Sequence, residues 1–156
     1  MIELPPDIPA FEGPRAMEVY QCARKASKYY NLNPFINQTI LKIEGGKIGT
    51  ISRNTDGSYD YGVMQVNTVW VDEIMRMQKI KINIHALTQD PCYNIHIGTW
   101  ILALKIRDAN GDVWKGVGNY HSKTPSKHYA YLRKAVVAYT SIYDHWDKEY
   151  KKAQRK

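Results

Sequence analysis

Three times in this chain a short polar side chain stands directly before a proline, at Asn33–Pro34, Asp90–Pro91 and Thr124–Pro125. Proline's fixed φ and missing N–H suit the first position of a helix, and the residue before it can accept from the open N–H groups of the first turn. Each pair is therefore read as a helix start. The first is followed by "PFINQTILKIE", which Gly45 and Gly46 end, the second by the long apolar "CYNIHIGTWILALKIRDA", which Gly111 ends, and the third by a helix running to the C-terminus. The second of these runs is expected to be the central buried helix. Upstream, Met17, Val19, Tyr20, Ala23 and Ala26 keep a helical spacing after Pro14. Four prolines within residues 1–14 point to an extended arm before it, and "KEYKKAQRK" makes a basic tail over 147–156.

Between the second and third helices the pattern changes. Residues 47–61 carry no helical period, and "NTDGS" is dense in residues that form Asx turns and left-handed conformations, so a short hairpin or ordered loop is expected. A helix resumes over Val63 to Met77, and "KIKINIHALTQ" reads as a polar link. With 156 residues the chain makes one domain, over 15–146, large enough to fold without disulfides. The fold class is mainly α, with one small β-hairpin or loop excursion.

Lysine and arginine outnumber the acids by 22 to 15, a net charge of +7 that favours an anionic partner. Nucleic acid is not expected, because the basic residues do not interleave with aromatics as in strand-binding grooves. The basic tail reads as a solvated helix end. No apolar run is long enough to span a membrane, and the N-terminus lacks the regions of a signal peptide, which leaves an intracellular protein or one whose leader has been removed. The five histidines show no ligand spacing, so neither a metal nor any other cofactor is expected. Cys22 and Cys92 are compatible with one disulfide and equally with two thiols.

Glu44 closes the apolar run "TILKIE" at the negative end of its helix, and both partial burial and the helix dipole raise a carboxyl pKa. Asp60 lies sixteen positions on, among polar turn residues that keep it ionised. Two carboxyls in contrasting environments suit the cleavage of a glycosidic bond. On spacing alone, a helix-end acid beside two turn-forming aspartates, Asp56 and Asp60, accounts for the pattern as well.

The residues around them add a resemblance. "NTDGSYDYGVMQVN" is similar to the loop of animal-type lysozymes, Asn-Thr-Asp-Gly-Ser-x-Asp-Tyr-Gly-x-x-Gln-x-Asn, matching at Asn54, Thr55, Asp56, Gly57, Ser58, Asp60, Tyr61, Gly62, Gln65 and Asn67. The wider set "IEGG", "GVMQ", "DPCYNIHIGTWIL" and "GNYHSKTP", over roughly residues 15–140, resembles the lytic transglycosylases of the soluble (SLT) superfamily, in particular the small ones of conjugation, pilus and secretion systems. Two positions depart from that family: Gly45 replaces the usual Ser after the acid, and "YHSK" replaces Tyr-Asn-Ala-Gly. A strand carboxylate such as Asp60 is itself unusual there.

The resemblance implies a lysozyme-like single domain that cleaves the β-1,4 bond between N-acetylmuramic acid and N-acetylglucosamine in peptidoglycan. Glu44 would act as acid and then base, and Asp60 would stabilise or attack the anomeric carbon. Asn54 would hold Asp60 ionised, Gln65 and Asn67 would contact sugar, and Tyr120 would support Glu44 or line the cleft. Trp70 is read as core. The alternatives are a hydrolytic muramidase using the same two carboxyls and a non-catalytic wall-binding assembly factor. Peptidoglycan strands, and proteins of a secretion or conjugation apparatus, are the expected partners of a monomer working in the periplasm or cell envelope. In that oxidising setting, pairing of Cys22 with Cys92 is favoured.

Overall fold

A computed structural model describes residues 15–155; the proline-rich arm expected over 1–14 lies outside the described residues. The elements follow in the order α1 (Ala16–Tyr29), α2 (Pro34–Glu44), β1 (Ile51–Arg53), β2 (Tyr59–Tyr61), β3 (Val66–Asn67), α3 (Thr68–Gln78), α4 (Ile84–Gln89), α5 (Pro91–Asp108), α6 (Val113–His121) and α7 (Pro125–Gln154). The strands form one antiparallel sheet in the order β1-β2-β3. All three proline pairs begin helices. Asn33 accepts from the amide of Phe35, and Asp90 from those of Cys92 and Tyr93, whereas Thr124 makes no side-chain cap bond.

Helix α5 is buried on nearly every face, with Asn94, Ile95, Ile97, Gly98, Thr99, Ile101, Leu102, Lys105 and Ile106 all inside. A helix without an exposed stripe belongs in a core. It packs against α1, α4, α6 and β3, while α7 closes the other side over α2 and α6. Ile40, Leu41, Val63, Met64, Ile95 and Leu102 meet at the centre, none more than 1% exposed. Gly98 lets Met64 lie on α5, since a Cβ there would stand 2.7 Å from its sulfur. Asn37 of α2 bridges to Thr99 of α5 (2.8 Å) and Ser27 of α1 (3.1 Å), tying three helices through one buried amide. Cys22 of α1 and Cys92 of α5 are joined as a disulfide, their Cα atoms 5.2 Å apart.

Two elements differ from the sequence reading. The third helix begins at Thr68 rather than Val63, because residues 62–67 are used for a tight turn and for β3. The "polar link" contains α4, capped by Asn83, whose side chain accepts from Ala86 N at 3.0 Å.

Candidate active site

Glu44 is the last residue of α2, and Gly45 ends the helix in the left-handed conformation at φ 61°. There the chain leaves α2 with its acid half-buried and facing the sheet. The Tyr131 hydroxyl, from α7, donates to Glu44 Oε1 at 2.8 Å. Burial pushes the Glu44 carboxyl up to about 7, and the charge of Asp60 pushes in the same direction. The Tyr131 hydrogen bond and the Lys134 ammonium oppose the rise without cancelling it. Near neutral pH the acid therefore holds its proton for much of the time.

Asp60 sits in the middle of β2, paired with Ser52 of β1 and Asn67 of β3. Each of its oxygens accepts one amide hydrogen bond, Oδ2 from Asn54 (3.1 Å) and Oδ1 from Asn67 (2.9 Å). Both amides also donate to Ser58 Oγ, at 3.1 Å each, and that hydroxyl in turn donates to Asp56 Oδ1 at 2.7 Å. The other end of Asn67 accepts from Val69 N and caps α3. The polar loop "NTDGS" is thus a hydrogen-bonded frame whose donors converge on one carboxylate.

The turn "GVMQ" joins this frame to the helices. Gly62 adopts φ 64°, and a Cβ there would lie 2.5 Å from Asn94 Nδ2. Asn94, buried on α5, receives the amide of Met64 (2.9 Å) and donates to the carbonyls of Tyr61 (2.7 Å) and Leu87 (2.9 Å). One buried side chain thus serves three backbone groups from three segments. Gly46 lies against the carbonyls of Gly62 and Val63, so that the segment following the acid fits against the turn.

All six site residues read from the sequence, Glu44, Asp60, Asn54, Gln65, Asn67 and Tyr120, line one open cleft of about 720 Å³. Their work is divided differently from that reading. Asn67 donates its amide to Asp60 and Ser58, and its oxygen accepts from Val69 N at the α3 cap. Gln65 donates to Gly62 O (2.8 Å) and braces the turn from within the cleft. Tyr120 is 4% exposed and donates to Met64 O at 2.9 Å, so its ring lines the cleft and its hydroxyl is spent on the turn. The hydroxyl on Glu44 belongs to Tyr131, which the sequence reading missed. Its signal was the stripe His128, Tyr131, Ala135, Ala138, Ile142 on α7, where a tyrosine among core positions needs a buried partner. His121, at the end of α6, stacks on Tyr131 with ring centroids 4.6 Å apart, and partial burial lowers its pKa. Trp70 also lines the cleft, its indole N–H donating to Tyr120 O (3.2 Å) and the Lys105 ammonium 3.6 Å from its ring centroid. Among the described residues no cluster of His, Cys, Asp or Glu could hold a metal ion, and no helix is long and apolar enough to cross a membrane.

A helical scaffold that sets a helix-end acid and a strand carboxylate in one cleft, with a three-stranded sheet beside it, is a lysozyme-like domain. The chain belongs to the transglycosylase SLT domain family, whose profile matches residues 21–156. Among curated relatives it is 34% identical to "Invasion protein IagB" of Salmonella typhimurium over 107 residues, 68% of this chain and 64% of that protein. It is 29% identical to a "Peptidoglycan-binding-like protein" of Escherichia coli O157:H7 over 131 residues, 78% and 77% of the two chains. A third relative, "Protein IpgF" of Shigella flexneri, is 28% identical over 107 residues, 68% of each. The match to the Salmonella protein thus spans somewhat less than two thirds of that protein's length.

Proposed function

We propose that this chain is a lytic transglycosylase that cleaves the β-1,4 bond between N-acetylmuramic acid and N-acetylglucosamine. In this reading it works in the periplasm or cell envelope and opens the wall locally for a secretion, pilus or conjugation apparatus. The observation that carries the reading is Glu44, an acid that burial keeps protonated near neutral pH at the wall of a cleft large enough for sugar rings. The names of two relatives, one an invasion protein and one peptidoglycan-binding-like, agree with it.

The Glu44 carboxyl gives its proton to the glycosidic oxygen as the bond to the muramyl anomeric carbon breaks. Positive charge then develops at that carbon, and Asp60, its two oxygens fixed by Asn54 and Asn67, is aimed into the same cleft to stabilise it. The muramyl 6-hydroxyl closes on the anomeric carbon and returns a proton to Glu44, so no water is consumed. A second reading, hydrolytic muramidase, is favoured by the framed Asp60. In that case Glu44 as base activates water, or Asp60 attacks the carbon directly.

Digestion of purified peptidoglycan with wild type, Glu44→Gln and Asp60→Asn, followed by mass spectrometry, tests both readings. Anhydromuramyl products lost only with Glu44→Gln support the transglycosylase. Products heavier by one water, lost in both variants, support the muramidase. Undigested wall with wild type refutes both and leaves a binding protein.

A further inference from the structure

The cleft is electrically divided in a way that bond cleavage does not need. Its strand wall carries Asp56 and Asp60, and Glu44 stands deeper in. The same cleft is also lined by Lys123, in the turn between α6 and α7, and Lys127, in the first turn of α7, and Arg53 at the end of β1 completes a set of three cations. All three are exposed, and none makes an ion pair among the described residues. Lys127 acts on the Asp56 carboxylate from a distance, but Asp56 is already engaged by the amide and hydroxyl of Ser58.

A chain of N-acetylated sugars has no charge to offer these groups. The negative charge of the wall polymer near the scissile bond lies on the peptide stem that the muramyl lactyl group carries. Every muramyl residue whose glycosidic bond reaches Glu44 brings its stem into the same cleft. Resting on the glycan-cleaving reading above, we infer that Lys123 and Lys127, with Arg53 of the same cleft, form a subsite for the carboxylates of the peptide stem, so that the protein selects stem-bearing strands over stripped ones. The carboxylate settles between the two lysines of the α6–α7 corner, and the strand is thereby oriented with its muramyl side towards α7 and its acetamido edges towards Asn54 and Gln65. Exposed ion pairs are weak and screened by salt, which sets the scale at about a three- to tenfold preference that fades as salt rises.

The experiment uses Glu44→Gln, which cannot donate a proton, as a binding trap. Its affinity is measured for glycan strands of one length, with stems and after an amidase has removed them, at 50 mM and 500 mM salt. The expected result is about three- to tenfold tighter binding of stem-bearing strands at low salt, with the difference abolished by adding Lys123→Gln and Lys127→Gln while affinity for stripped strands is kept. Equal affinity for the two strands, or an equal loss for both on removing the lysines, overturns the subsite. Displacement by heparin as readily as by free stem peptide also overturns it, since the rim would then be a general anion patch. Wild-type cleavage of the same two strands runs in parallel. Selective binding without cleavage would sink the transglycosylase reading and leave the subsite standing, whereas cleavage without selection would do the reverse.

Discussion

Glu44→Gln should make this protein more stable as well as inactive, and the gain should depend on pH. The free carboxyl loses its proton at 4.5, whereas in the fold it does so at about 7. Below 4.5 both native and unfolded chains carry the proton and the acid is neutral to stability. Between 4.5 and 7 the native state holds a proton that the unfolded chain has already released, so stability falls as pH rises. Above 7 both have released it and the whole penalty of ionising a half-buried carboxyl is present. The interval of about 2.5 pH units, at about 1.4 kcal/mol each, amounts to about 3 kcal/mol. Glutamine keeps the shape and an oxygen able to accept from Tyr131, but never ionises. Urea unfolding at pH 4, 6 and 8 should therefore show the variant level with wild type at pH 4 and about 2 to 3 kcal/mol more stable at pH 8, some 5 to 10 °C in melting temperature. A difference between the two proteins that stays flat from pH 4 to 8 would refute a raised Glu44 and remove the basis for its acid role.

Tyr131→Phe deletes a hydrogen bond that lowers the Glu44 pKa, so the alkaline limb of the pH–rate profile should move up while the rate falls about tenfold; an unmoved limb would mean that the bond is absent in solution. Asn94→Ala strands the Met64 amide and the Tyr61 and Leu87 carbonyls, and denaturant titration should show a loss of about 3 kcal/mol. Gly62→Val combines a β-branched residue at φ 64° with a collision at Asn94, and its melting temperature should fall further than that of a chain ending at residue 146, whose lost segment is mostly exposed.

Capping chemistry made the helices legible. It is local, and α2, α5 and α7 begin at the residues that their cap–proline pairs indicated. Periodicity failed where a short segment served something distant: Val63, Met64 and Val66 look like the first turn of a helix because they are apolar, yet they are buried in a turn and strand held by Asn94 and Tyr120. Helix α4, with only six residues, was too short to show a period at all. In the site, Asp60 and its asparagines lie within one contiguous motif, with Glu44 on the helix just before it, and could be read together. Tyr131, His121 and the lysines of the rim come from the far end of the chain, and nothing in a single sequence says which surface α7 will cover.

The Glu44–Tyr131 bond joins residues 87 positions apart. More than half of the 156-residue chain lies between its ends, so the contact forms only when segments distant in sequence have been brought together. No amino-terminal fragment that ends before α7 carries the Tyr131 hydroxyl from which Glu44 accepts. The setting of Glu44 is thus shared between α2 and α7, and the pH dependence of stability worked out above also gauges whether α7 has docked.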